Sequence, residues 1–82
     1  MSFLEYYKKN LSEDVESVEQ LYLSANLTED TSGIEYWDRV TYSDGRQEYY
    51  PSVTEYDHNV SIPFDMPEEW LQFAVEDKVA NI

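Results

Sequence analysis

The chain has 82 residues and a net charge of −13, with 18 Asp and Glu against five Lys and Arg. So short a chain reads as a single domain, residues 1–82, with a modest core, and its anionic field repels nucleic acid and acidic membrane surfaces. The absence of cysteine excludes a disulfide framework and a thiolate metal site, and an aromatic content of 16% argues against simple acidic disorder.

Met1-Ser2-Phe3-Leu4-Glu5 shows no basic region followed by an apolar run, and no stretch approaches the length of a membrane span, so the expected location is the cytoplasm. Ser2 to Asn10 reads as a short helix, with Ser2 and Glu5 at capping-box spacing and Phe3, Leu4, Tyr7 and Leu11 on one face. Ser12 reads as a second N-cap, followed by Glu13, Asp14 and Glu16 in a first turn. Val15, Val18, Leu21, Tyr22 and Ala25 recur at helical spacing, which predicts a second helix from Glu13 to about Asn26. Leu27 to Gly33 is polar and reads as a loop.

From Ile34 the period changes to two. Asp44-Gly45 is the strongest hairpin signal in the chain, and a two-residue turn there pairs Ser43 with Arg46, Val40 with Tyr49 and Tyr36 with Val53. One face then carries Ile34, Tyr36, Val40, Tyr42, Tyr49 and Val53 and is expected to be core. The other carries Glu35, Trp37, Arg39, Glu48, Tyr50 and Tyr56 and is expected to be a half-exposed binding surface. Pro51 marks an edge or a bulge. Asp57-His58-Asn59 reads as a turn and Val60-Ser61-Ile62 as a short third strand. Asp65 is the expected N-cap of a last helix whose stripe is Trp70, Leu71, Ala74, Val75 and Ile82, with Phe73 off the stripe. The predicted class is α+β: a small antiparallel sheet, a hairpin plus a short third strand, packed against two or three helices in the order ααβββα.

Nothing in the sequence marks a catalytic centre. His58 is the only histidine, no Cys–His pair exists, and two glycines, Gly33 and Gly45, make no phosphate-binding loop. Adjacent carboxylates are expected from composition alone, and the calcium-loop pattern is absent. The expectation is therefore a protein that is not an enzyme and carries no cofactor or metal.

The acidic array is the feature left to explain. Glu13, Glu16, Glu19, Glu29, Asp30, Glu68, Glu69, Glu76 and Asp77 are the candidate partner-binding carboxylates. On a helix, side chains three or four apart lie about 5–6 Å from each other, close to the spacing of successive phosphates on a strand. Such an array suits the phosphate-binding groove of a basic, nucleic-acid-binding protein, whose Lys and Arg it would engage. Trp37, Tyr50 and Tyr56 are the candidate aromatic anchors. In the alternative reading, the chain is a small interaction module or adaptor subunit that docks through the aromatic face of its sheet.

In size, charge, lack of cysteine and α+β pattern the chain resembles the small acidic DNA-mimic inhibitors of phages and mobile elements. The resemblance covers overall character rather than a motif. It implies a non-catalytic inhibitor of anti-CRISPR or anti-restriction type that occupies the nucleic-acid-binding surface of a host nuclease or effector complex in the host cytoplasm.

Overall fold

The computed structural model describes residues 3–56 and 62–79, with the backbone alone for 76–79. In chain order the elements are helix α1 (Phe3–Asn10), strand β1 (Val15–Tyr22), helix α2 (Ala25–Thr28) with a following 3-10 turn (Glu29–Thr31), strands β2 (Tyr36–Tyr42) and β3 (Gln47–Pro51), helix α3 (Glu68–Leu71) and strand β4 (Val75–Val79). The class is α+β, with a small antiparallel sheet packed against helices, as the sequence pattern implies. The sheet has four strands in the order β3-β2-β1-β4, and the element order is αβαββαβ rather than ααβββα.

The first difference is the segment expected to be a helix from Glu13 to Asn26, which contains β1 instead. Its apparent helical period has a physical source. Val15 pairs with Tyr42 and Ser17 with Thr41, so Glu16 is an extra residue, a β-bulge that puts Val15 and Val18 on the same face although they are three apart. Leu21, the next apolar position at helical spacing, points to the opposite face, and both faces of this strand are buried. A strand covered on both sides does not alternate apolar with polar, and the two-residue signature is lost. Ser12 serves a turn rather than a helix: the backbone N–H of Asp14 donates to its hydroxyl at 3.1 Å.

The hairpin is present with its register moved by one residue. Trp37 pairs with Pro51, Arg39 with Tyr49 and Val40 with Glu48. The connection is three residues long, Ser43 to Gly45: Gly45 N–H donates to Tyr42 O at 2.9 Å, and Tyr42 N–H donates to Arg46 O at 2.8 Å. Gly45 has φ +91°, the left-handed position that completes a three-residue loop. The shift exchanges partners between faces. Tyr50 and Glu48 join the side of Val40 and Tyr42, and Tyr49 joins that of Trp37.

Each face has its own core. On the first, α1 lays Tyr7 against Val15, Val18, Val40, Tyr42 and Tyr50. On the second, Leu21, Leu23, Trp37 and Tyr49 are covered by Phe64, Met66, Trp70 and Leu71. The Phe64 ring lies between those of Trp37 and Trp70, with centroids 4.9 and 6.1 Å away. Phe64 also bridges to Tyr49, its N–H donating to Tyr49 O at 2.9 Å.

The last helix is a single turn, with Pro67 rather than Asp65 at its N-cap. Beyond Phe73 the chain becomes extended and pairs with the free side of β1, so Val75 belongs to a strand and not to a helical stripe. The loop expected from Leu27 to Gly33 contains the end of α2 and the 3-10 turn, closed by Ser32 at φ 64°. The expected turn at Asp57-His58-Asn59 and most of the expected strand Val60-Ser61-Ile62 lie outside the described residues, as does Ile82.

Candidate interaction surface

The sheet has two ends, and they differ in charge. At the hairpin end, the link between α1 and β1 meets the β2–β3 turn, where Ser43 N–H donates to Asp14 O at 2.9 Å. Glu13, Asp14, Glu16 and Asp44 are exposed here. The positive charges gather here too: Lys8 and Lys9 line an open groove with Glu5, Ser12 and Glu13. Arg46 lies over the Tyr42 ring at 4.1 Å and 4.0 Å from Asp44.

The opposite end is formed by α2, the 3-10 turn and the turn after β3. It presents Glu29, Asp30 and Glu55 as exposed carboxylates, with Glu35 half-buried. Tyr56 ties this end together: its hydroxyl accepts from the backbone N–H of Glu35 at 3.1 Å and of Tyr36 at 3.4 Å. Over the second face, exposed Asp65 lies beside Gln47 and Glu48 toward the hairpin and exposed Glu68 and Glu69 stand on α3, while the α2 end keeps Glu29, Asp30 and Glu55. Among the described side chains, no Lys or Arg lies at this end, because Arg39 is engaged elsewhere and Lys78 stands in β4 opposite Gln20.

Several acidic positions are tied into the structure. Glu19, expected on an exposed helical face, accepts from Arg39 Nε at 2.9 Å and Nη2 at 2.7 Å across the β1–β2 pair. One Glu48 oxygen accepts from both the Tyr42 and Tyr50 hydroxyls. Burial, with Glu48 adding, holds the Tyr42 phenol up at about 12 and raises Tyr50 as well. Asp38 is fully buried and accepts from the Tyr7 hydroxyl at 2.8 Å and Val53 N–H at 3.0 Å. Burial and the Asp38 charge push the Tyr7 phenol far up. Beside Asp38 in register, buried Gln20 donates its amide to Ser52 Oγ at 2.8 Å and to Thr54 Oγ1, while its Oε1 has no hydrogen-bond partner.

The candidate carboxylates are therefore dispersed. Glu13 and Glu16 lie at the hairpin end, Glu29 and Asp30 at the other, and Glu68 and Glu69 on α3, all exposed. Glu19 is ion-paired, and Glu76 and Asp77 stand in β4 at positions whose side chains are outside the described set. The aromatic anchors need correction. Trp37 and Tyr50 are 1% and 2% exposed, so neither reaches solvent. Tyr56 is half-buried with its hydroxyl engaged. The half-exposed aromatic face expected from the alternation does not exist, because helical and loop segments cover both sides of the sheet. Among the described residues, the large apolar side chains most exposed to solvent are Ile62, Phe73 and Val75. The sequence signal for Phe73 was its place off the helical stripe; none marked the other two.

Among the described residues, no group of three or more His, Cys, Asp or Glu is placed to hold a metal ion, and no helix is long and apolar enough to cross a membrane. Fold and surface define a small, acidic α+β chain whose described charges are spread unevenly over the two ends of the sheet. No family model matches the chain, and comparison with curated proteins and with solved structures finds no match.

Proposed function

We propose that the chain is a non-catalytic acidic binding protein that occupies the nucleic-acid-binding surface of a basic host protein, as phage and mobile-element inhibitors of anti-CRISPR or anti-restriction type do, in the cytoplasm. The supporting observation is the uneven charge. The chain carries −13 overall, the described cations Lys8, Lys9 and Arg46 all stand at the hairpin end, and Glu29, Asp30 and Glu55 face solvent at the α2 end without them. A cleft built for phosphates is cationic, and an anionic end is complementary to it in sign.

Partner capture from lysate tests this. At low salt the protein should retrieve nucleic-acid-binding proteins, and duplex DNA should compete. The E29Q/D30N/E55Q variant should lose that capture, while E13Q/D14N/E16Q, altered at the cation-bearing end, should keep most of it. Retrieval of neutral or acidic proteins alone, or equal losses from the two variants, would overturn the proposal.

A further inference from the structure

We infer that the outer edge of β4 is a docking strand for an extended, basic segment of a partner protein. In the strand order β3-β2-β1-β4, β4 has β1 on one side and, among the described residues, no strand on the other. Such an edge offers a row of backbone donors and acceptors to an added strand. The sheet's other edge is partly closed, since Phe64 bridges to Tyr49 on β3. Two of the most exposed large apolar side chains stand where β4 begins: Phe73 at 64% and Val75 at 59%. Strand addition combines main-chain hydrogen bonds with apolar contacts for alternate side chains of the incoming segment, and this edge has both parts.

Charge selects the occupant. Glu76 and Asp77 stand in β4 against one Lys78, and exposed Glu68 and Glu69 precede it on α3. A second copy is disfavoured: two bodies of −13 repel, and antiparallel self-pairing about the central residue of Val75–Val79 sets Asp77 against Asp77. An extended segment alternating apolar residues with Lys or Arg meets the edge with matching hydrogen bonds and opposite charge. The partner's positive charge rests on the function proposed above; the pairing mode rests on the edge itself.

The test uses the whole chain and two synthetic probes. One is a short peptide of alternating Val and Lys, and the other is the same peptide with alternate backbone amides N-methylated, which keeps the charge and removes strand hydrogen bonds. The first should slow hydrogen exchange at amides in Val75–Val79 and bind at least about tenfold more tightly than the second, a difference of about 1.4 kcal/mol. F73S and V75T alter exposed side chains, leave the fold intact and should each weaken the first peptide severalfold. Equal binding of the two peptides, protection centred on β3, or protection of β4 by self-association of the free protein would overturn the inference. Should β4 be protected by the first peptide while lysate capture yields no nucleic-acid-binding protein, the docking mode stands and the proposed function alone fails. Capture that F73S leaves unchanged and E29Q/D30N/E55Q abolishes has the reverse meaning.

Discussion

Replacing Tyr7 by Phe deletes one hydroxyl from a fully buried pair. Tyr7 and Asp38 are both 0% exposed, and the Tyr7 hydroxyl donates to Asp38 Oδ2 at 2.8 Å across 31 residues of chain. A hydrogen bond to a charged group contributes about 1.5–3 kcal/mol, and the carboxylate deprived of it stays buried. Val53 N–H still donates to the same oxygen, which argues for the middle of that range, about 2 kcal/mol. In a domain of this size each kcal/mol moves the midpoint by about 4–8 °C, so Y7F should melt roughly 8–16 °C lower. D38N makes a sharper comparison. Its side-chain oxygen can still accept from Tyr7 and Val53, and its new N–H₂ sits opposite Gln20, whose Oε1 has no partner. D38N should therefore cost less than Y7F despite losing the charge. Urea and thermal melts of both variants decide the matter. If Y7F is within about 0.5 kcal/mol of the parent, the size of an ordinary surface change, or if D38N is clearly the worse of the two, this account of the buried pair is wrong.

Alkaline stability follows from the buried phenols. The folded-state value of Tyr42 lies near 12, above the ordinary 10.0, and those of Tyr7 and Tyr50 are also raised. Folding then favours the protonated form, so their contribution is intact below pH 10 and is lost as pH rises toward about 12. Phenolate absorbance should show these tyrosines ionising together with unfolding, and E48Q should shift the Tyr42 step down; simple independent titration of all eight tyrosines near pH 10 would contradict this. W37A should cost about 3–5 kcal/mol, as expected for a large core aromatic, so any loss of binding in that variant should track unfolded protein in circular dichroism. G45A meets no atom within 4 Å but holds φ +91°. It should cost about 1–2 kcal/mol, the strain of an ordinary residue in the left-handed region, with the same β2–β3 register by NMR.

The first helix and the hairpin were legible because each announces itself locally. Phe3, Leu4, Tyr7 and Leu11 make one stripe, and Asp44-Gly45 is a turn dipeptide whatever its loop length. What local pattern could not separate was a two-residue turn from a three-residue loop, and that single residue decided whether Tyr49 or Tyr50 faces α1. β1 was hidden by its bulge at Glu16 and by burial on both sides, which together reproduce helical spacing. On the surface, the excess of acid was evident from composition, and the exposed carboxylates Glu13, Glu16, Glu29, Asp30, Glu68 and Glu69 lie where a polar reading puts them. That Glu19 is held by Arg39 and Glu48 by two tyrosines depends on partners 20, 6 and 2 residues away in the folded sheet. The same long-range pairing turned Trp37 and Tyr50 from anchors into core.

Among the described residues each side of the sheet is roofed by its own piece of chain, so what the sheet leaves to solvent is mainly its perimeter. Its accessible area is 5067 Å², and a standard interface takes about 800 Å² from each partner, roughly a sixth of that. A footprint of that size centred on the acidic loops reaches the start of β4, since Val75 pairs with Tyr22 at that end of the sheet. Under the function proposed above, the receptor that suits such a shape is a cleft that wraps the rim rather than a flat wall pressed against it.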